Sequence, residues 1–302
     1  MWRCCAVDAS LLPPDGPPTR PMSQDTIADA LRSLPRPLAL IFPGGGALGA
    51  HQVGSARALF EAGVVPDLLV GVSAGSVNAS FLAWHPGVAG THVLEAMWLS
   101  VRRRDLLPVH PTRIALALTG RRTSLVDSVY GERFLRRHLG RRSIEAAPIP
   151  LAVIATDLET GYPVVLRTGD LASAVVASSS FPGVYPPVQR DGRWLVDGGV
   201  VADVPLDITA DMGAASAIVV AVPPLAPSTP PRSPINILLR ASTWGSEAHG
   251  RTTLRRPPPE LTVVSVPSAA NPTTTFQLGS PTGLIAAGYD TTAAWLAEQR
   301  VI

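Results

Sequence analysis

The sequence contains no lysine, so all 25 of its basic residues are arginine. They stand against 23 acidic residues, and the net charge of +2 gives no reason to expect a nucleic-acid partner. The two cysteines are the adjacent pair Cys4 and Cys5, which cannot staple distant parts of a fold. A disulfide-built secreted domain is therefore not indicated. An H-E-x-x-H motif and a cluster of cysteine and histidine are also missing, so we expect no metal site.

Long hydrophobic runs are absent as well. No apolar run reaches the ~18 residues that a membrane-spanning helix requires, and the N-terminus lacks the basic-then-apolar layout of a signal peptide. Charged residues are only 16% of the chain and hydrophobic ones 46%, which is typical of a folded protein. A length of 302 residues is enough for one large α/β domain or two modest ones. These features predict a soluble, cytoplasmic protein.

Proline separates a tail from the folded part. Prolines are frequent in residues 1–37, where we expect disorder apart from a helical pattern at 23–34 with Ser23 as its N-cap. Residues 38–222 are the predicted core of the domain. Residues 223–302 are predicted to be its C-terminal part, beginning with a Pro/Ser-rich loop at 226–234.

Short apolar runs alternate with helical patterns from residue 38 onward. The first run, Leu38–Phe42, is uninterrupted, as in strands buried on both faces of a parallel sheet. Further strands are predicted at 67–70, 151–155, 161–166, 194–196, 217–222 and 261–266, and helices at 50–62, 77–82, 170–178, 235–249 and 283–299. This alternation predicts a three-layer α/β/α sandwich with a mainly parallel central sheet.

The chain is organised around the G-x-S-x-G pentapeptide Gly71-Val72-Ser73-Ala74-Gly75. It follows an apolar strand and precedes a helical pattern, which is the setting of a nucleophile elbow. A serine at such a turn lies on strained backbone with its hydroxyl exposed at the edge of the sheet. We expect Gly71 and Gly75 to be glycine because a Cβ at either position would collide with the neighbouring element.

The first strand runs into the glycine-rich segment Gly44-Gly45-Gly46-Ala47-Leu48-Gly49. Its G-x-G-x-x-G spacing also matches a dinucleotide-binding fingerprint, which makes a nucleotide-cofactor enzyme an alternative. That fingerprint expects an acid at the end of the second strand, where this chain has Ser73 instead. The exposed N–H groups of the loop could equally hold a phosphate or the oxyanion of a tetrahedral intermediate.

A nucleophilic serine needs a proton acceptor. An α/β-hydrolase places an acid and then a histidine after the serine, and of the six histidines only His249 follows Asp197. His249 lies in the segment 246–250, which has the pattern of a helix end. Asp197 is the better candidate, because it ends a predicted strand and is followed by Gly198 and Gly199, which leave its carboxylate unscreened.

Taken together, these segments resemble the patatin-like phospholipase family. The similarity covers about residues 38–222 and rests on Gly44–Gly49, Gly71–Gly75 and Asp197–Gly199, with support from 156–161 and 177–182. It implies the family's α/β fold, no cofactor, and a phospholipid or other lipid ester as substrate. In the implied dyad, Ser73 is the nucleophile and Asp197 the proton acceptor.

The resemblance also assigns roles to the glycines. Gly44, Gly45 and Gly46 would form the oxyanion hole, chiefly through the amides of Gly45 and Gly46. Gly49, Gly71, Gly75, Gly198 and Gly199 complete the family motifs. Members commonly have arginine or lysine where Leu48 stands, so a charge contact at that position is missing here. A non-catalytic lipid-binding protein of the same fold stays an alternative.

Residues 100–145 are unusually basic, with 11 arginines against four acids. Such a stretch could face anionic lipid headgroups and bring the protein to a membrane surface, each arginine contributing ~1 kcal/mol. Leu106, Leu107, Ile114, Leu116 and Leu118 supply apolar residues for insertion. The alternative is a set of solvated helix faces, which is what charge runs usually form.

Overall fold

The computed structural model describes residues 26–102, 119, 123–224, 234–269 and 280–299. Most of the proline-rich tail, the apolar residues predicted to insert between headgroups, and most of the predicted Pro/Ser loop lie outside the described residues. The strands are β1 (Leu38–Phe42), β2 (Leu68–Val72), β3 (Leu151–Asp157), β4 (Pro163–Leu166), β5 (Val188–Arg190), β6 (Arg193–Asp197), β7 (Ser216–Val220) and β8 (Thr262–Val266). The helices are α1 (Ile27–Arg32), α2 (Gly49–Glu61), α3 (Ala74–Trp84), α4 (Gly87–Ser100), α5 (Ser128–Leu139), α6 (Leu171–Ser178), α7 (Leu206–Asp211), α8 (Pro234–Arg255) and α9 (Pro281–Leu296).

The eight strands form one mixed sheet in the order β5-β6-β3-β2-β1-β7-β8, with β4 paired to β3. Strands β3, β2, β1, β7 and β8 run parallel to one another, whereas β4, β5 and β6 add an antiparallel region beside β3. The parallel strands bring their carboxyl ends to the same edge of the sheet, and these ends carry the glycine-rich segment and Ser73. Ligand sites of open α/β sheets lie at this edge.

Helices cover both faces of the sheet. Residues of β1 alternate between the two faces, as the period of a strand requires: Leu38, Leu40 and Phe42 join one apolar core, Ala39 and Ile41 the other. The first core also contains buried side chains of α2 to α6 and α9. The second, smaller core is closed by α7 and by Leu254 of α8. The predicted three-layer α/β/α sandwich is therefore confirmed.

The structure corrects two local predictions and adds one strand that was not predicted. The first helix begins at Ile27, because Thr26 and not Ser23 provides the cap, in a reciprocal capping box with Asp29. The helix predicted to end within 246–250 continues to Arg255, since Gly250 is a packing position and not a C-cap. The short strand β5 was not predicted; it pairs with β6 through a tight turn at Asp191 and Gly192.

In the described ranges, no helix is both long enough and apolar enough to cross a membrane.

Candidate active site

Ser73 lies at the turn between β2 and α3, with φ +51° and ψ −126°. A positive φ is strained for a residue with a Cβ, and the close crossing of the two elements maintains it. A Cβ on Gly75 would collide with the carbonyl oxygen of Phe42 in β1, and a Cβ on Gly71 would lie 2.5 Å from the Cα of Ser76. The predicted steric reason for both glycines is confirmed.

Asp197 is the hydrogen-bond partner of Ser73. The Ser73 hydroxyl donates to Asp197 Oδ2 at 2.6 Å, and the Gly199 N–H donates to Oδ1 at 2.9 Å. Strand register produces this meeting, because Val72 lies opposite Ile154 in β3 and Ala155 lies opposite Asp197. Gly198 permits this close approach of β6 to β3, since a Cβ at position 198 would collide with the Ile154 carbonyl.

Burial determines the protonation behaviour of Asp197, which is only 4% exposed. Loss of hydration raises the pKa of Asp197 to about 6, although the hydrogen bonds from Ser73 and Gly199 act in the opposite direction. A carboxylate with this pKa is a stronger base than an exposed aspartate and is still mostly ionised at neutral pH.

The glycine-rich segment lies beside Ser73. The Gly44 N–H is donated to Asp203 Oδ1 at 2.9 Å, so it is not available as an oxyanion donor and this part of the prediction is corrected. Among the residues that the structure describes, the N–H groups of Gly45 and Gly46 have no acceptor. Gly46 has φ +55°, and Gly45 is pressed against Val222, whose Cγ1 would lie 2.8 Å from an added Cβ.

Asp203 is a site residue that sequence reasoning missed. It follows Asp197 by six residues in a short apolar segment, and that isolated acid was the available signal. Burial raises the pKa of Asp203 to about 7, with further contributions from the charges of Asp197 and Glu247, against the hydrogen bond from Gly44.

A second missed residue, Ser178, holds the elbow itself. Its hydroxyl accepts the Ser73 N–H at 2.9 Å and donates to the Ile154 carbonyl at 2.6 Å. Ser178 lies in the 177–182 segment that supported the family resemblance, although no role was predicted for it.

A buried polar network fixes both ends of the glycine-rich segment. Gln52 Nε2 donates to the Pro43 carbonyl at 3.0 Å, and Asn78 Nδ2 donates to the Gly49 carbonyl at 2.9 Å. Asn78 in turn accepts from Trp98 Nε1 at 2.8 Å. Because such groups are costly to leave unpaired in the interior, the network holds the segment in one conformation.

Ser73 and Asp197 line a cavity of about 750 Å³ together with Gly44, Gly45 and Gly46. Its walls are largely apolar and include Leu48, Val77, Met97, Trp98, Phe134, Leu135, Val176 and Phe181. No histidine is among its described lining residues. His249 is exposed on α8 and does not line the cavity, so the structure does not bring it to Ser73. Within the described ranges, no group of three or more His, Cys, Asp or Glu residues is arranged to hold a metal ion.

Comparison with known proteins identifies the family of the chain. The family model described as patatin-like phospholipase matches residues 40–210. The chain belongs to the patatin-like phospholipase family. The segments Gly44–Gly49, Gly71–Gly75 and Asp197–Gly199 all lie within the matched range.

Curated relatives of this patatin-like chain are longer. The human patatin-like phospholipase domain-containing protein 6 is 33% identical over 187 residues, which are 61% of this chain and 13% of that protein. An uncharacterized NTE family protein of Mycobacterium bovis is 34% identical over 191 residues, 63% of this chain and 50% of that protein. The chain therefore matches at most half of the length of either relative.

Two solved structures are similar to the patatin-like chain in fold. VipD from Legionella pneumophila has a TM-score of 0.46 and 16% identity, covering 88% of this chain and 67% of that one. ExoU, solved in complex with SpcU from Pseudomonas aeruginosa, has a TM-score of 0.39 and 19% identity, covering 87% of this chain and 52% of that one.

Proposed function

We propose that the protein is a serine-dependent lipid acyl hydrolase of the phospholipase A or lysophospholipase type. Ser73 is the nucleophile, Asp197 the proton acceptor, and the amides of Gly45 and Gly46 the oxyanion donors. The single observation that carries the proposal is the 2.6 Å hydrogen bond from Ser73 Oγ to Asp197 Oδ2 at the wall of an apolar cavity. Neither a cofactor nor a metal is needed in this scheme.

The first step is acylation. Ser73 Oγ attacks the ester carbonyl carbon while Asp197 Oδ2 takes the hydroxyl proton, which gives a tetrahedral intermediate. A carboxylate with a pKa near 6 is closer to the ideal for this transfer than one near 4. Collapse of the intermediate breaks the bond to the alcohol, which leaves with the proton held by Asp197. The acyl group remains on Ser73.

The second step returns the enzyme to its starting state. A water molecule attacks the acyl-serine carbonyl, Asp197 accepts its proton, and collapse of the intermediate releases the fatty acid while Ser73 recovers a proton. Both tetrahedral intermediates carry a negative oxygen. The Gly45 and Gly46 N–H groups and the positive end of the α2 dipole would stabilise it, in a site with little competing water.

The cavity favours esters that carry an extended apolar chain. Its side-chain lining is mainly aliphatic and aromatic, so burial of a hydrocarbon chain would contribute ~0.8 kcal/mol per methylene group. Carboxylate-assisted serine chemistry suits esters better than amides, because an alcohol leaves more readily than an amine.

Labelling with a fluorophosphonate probe tests the proposed function. We expect the folded protein to be labelled on the peptide that contains Ser73, and the heat-denatured protein not to be labelled. Addition of a lysophospholipid should slow the labelling if the same cavity binds it. A folded protein that binds the lipid but is not labelled would instead be a non-catalytic lipid-binding member of the fold.

A further inference from the structure

The peptide unit that joins Pro43 to Gly44 is held at both of its polar ends. Gln52 Nε2 donates to the Pro43 carbonyl at 3.0 Å, and Asp203 Oδ1 accepts the Gly44 N–H at 2.9 Å. Gln52 is on α2, whereas Asp203 follows β6, so two separate parts of the fold hold one peptide plane. The next two N–H groups along the chain are those of Gly45 and Gly46. Their direction depends on that plane.

The fold makes room for the Asp203 carboxyl group with three glycines from three different segments. An added Cβ would lie 2.8 Å from Asp203 Oδ1 at Gly44, 3.3 Å from the same oxygen at Gly199, and 3.4 Å from Oδ2 at Gly250. A side chain at Gly44 or Gly199 would press on the carboxyl group, and one at Gly250 would be in van der Waals contact with it. The position of Asp203 is thus defined by the packing of β1, β6 and α8 around it.

Asp203 lies among other carboxyl groups. The Asp197 Oδ1 and Asp203 Oδ1 atoms both lie within 3.3 Å of the point where a Cβ on Gly199 would sit. On the side of α8, Glu247 forms an ion pair with Arg251 through Oε1, while its buried Oε2 has no partner among the described residues. A negative charge on Asp203 therefore faces Asp197 and Glu247, with Arg251 as the neighbouring cation.

We propose that Asp203 is a positioning residue: its hydrogen bond to Gly44 holds the glycine-rich segment in the conformation for oxyanion binding, and the strength of this hydrogen bond depends on whether Asp203 is ionised. The inference rests on the proposed function and concerns how the same site is regulated by pH. An ionised carboxylate accepts an N–H about twice as strongly as a neutral oxygen, so the Gly44 peptide is held more firmly when Asp203 carries its charge.

The direction of the pH effect follows from the same bond. Burial raises the pKa of both Asp203 and Asp197, and the negative charges of Asp197 and Glu247 raise that of Asp203 further. Protonation of Asp203 weakens the hydrogen bond that holds Gly44, and protonation of Asp197 removes the proton acceptor. kcat should therefore fall in two ionisation steps as the pH decreases from about 8 to about 5.

The test compares Asp203→Asn with Asp203→Ala, using kcat and KM for a p-nitrophenyl ester across that pH range. Asn keeps an acceptor for Gly44 but cannot ionise, whereas Ala removes the acceptor. We expect Asp203→Ala to lower kcat by roughly 10- to 100-fold with little change in KM, as for a weakened oxyanion site. Asp203→Asn should recover most of this loss and show only the ionisation of Asp197. The exposed Asp207→Ala is the matched control and should retain the wild-type profile.

Wild-type kcat in Asp203→Ala, or two acid-side ionisations in Asp203→Asn, would overturn the proposal. If Asp203→Ala does not fold, the pH profile of Asp203→Asn decides alone. Probe labelling of the wild type at Ser73 separates this question from the proposed function. A labelled wild type with insensitive Asp203 variants rejects only the positioning role, whereas an unlabelled, inactive wild type rejects the mechanism on which it rests.

Discussion

The Ser178 hydroxyl accepts a hydrogen bond from the main-chain N–H of Ser73 at 2.9 Å and donates one to the carbonyl of Ile154 at 2.6 Å. The strained serine of the elbow is thus tied to β3 by one side chain from the end of α6. This link fixes the direction of Ser73 independently of its hydroxyl contact with Asp197.

Ser178→Ala should leave both the Ser73 N–H and the Ile154 carbonyl without this partner. A buried group left unpaired costs about 1–3 kcal/mol, so we expect a lower unfolding temperature and a several-fold lower kcat. Ser80→Ala is the matched control, because Ser80 is also buried but its hydroxyl has no partner among the described residues. Equal effects of the two substitutions on unfolding and on kcat would contradict the role given to Ser178.

Asp197→Asn should abolish turnover and yet stabilise the fold at pH 8. Burial raises the pKa of Asp197 from the ordinary 3.8 to about 6, so the folded protein holds this proton more tightly than the unfolded chain does. The corresponding stability is present below about pH 4 and is lost as the pH rises through about 6. Removing the ionisable group should therefore raise the unfolding free energy at pH 8 by on the order of 2–3 kcal/mol.

Thermal unfolding at pH 4 and pH 8 measures this effect. The gain of Asp197→Asn over the wild type should shrink at pH 4, where both proteins carry a neutral group at this position. The exposed Asp207→Asn serves as control and should show no such difference. A lower unfolding temperature of Asp197→Asn at pH 8 would mean that the carboxylate is stabilised by its hydrogen bonds more than burial destabilises it.

Much of the fold was predictable because its signals are local. The run Leu38–Phe42 is buried at every position, and the strand–serine–helix pattern around Ser73 is visible within about ten residues. Asp197 was a candidate partner of Ser73 from its place at a strand end before two glycines, and the family resemblance made it the expected one, although 124 residues separate the two. Sequence spacing alone gives no distance between two strand ends.

The parts that were missed depend on contacts between distant segments. Asp203 binds Gly44 across 159 residues, and nothing near Asp203 in the sequence marks it as enclosed. The segment 246–250 was interpreted as a helix end, but the helix continues to Arg255, and a Cβ on Gly250 would lie 3.0 Å from Val204 Cγ2. Glycine occurs both at helix ends and at closely packed positions, and only the packing distinguishes the two.

His249→Ala and treatment with EDTA should each leave ester hydrolysis within about twofold of the untreated wild type. His249 is exposed on α8 and does not line the cavity that contains Ser73. The proposed mechanism takes its nucleophile, proton acceptor and oxyanion donors from the chain itself. Loss of activity in the histidine variant would support a Ser–His–Asp triad instead of the dyad, and loss of activity in EDTA would show that a metal is required.

Part of the Arg-rich stretch lies on α5, whose inner residues Phe134 and Leu135 line the cavity. Arg136 is engaged with Glu132 and Asp170, whereas Arg133 and Arg137 are exposed on the outer side. If this face docks on anionic lipid, Arg133→Gln with Arg137→Gln should weaken binding to vesicles by about tenfold or more, since each arginine contributes ~1 kcal/mol near the surface.

Vesicle co-sedimentation with and without anionic lipid, at low and high salt, provides the measurement. Arg255→Gln with Arg256→Gln removes the same charge from another exposed segment and is the matched control. A loss that is equal in both double variants would assign the effect to overall charge. Binding that ignores salt and lipid charge would eliminate electrostatic docking through α5.

The central claim, that Ser73 performs the chemistry with Asp197, is tested most directly by the turnover of a p-nitrophenyl ester by Ser73→Ala. The account predicts a loss of at least about a thousandfold in kcat, because no other group can form the acyl intermediate. Circular dichroism and the unfolding temperature should show that the variant remains folded. Wild-type turnover by a folded Ser73→Ala protein would contradict the account.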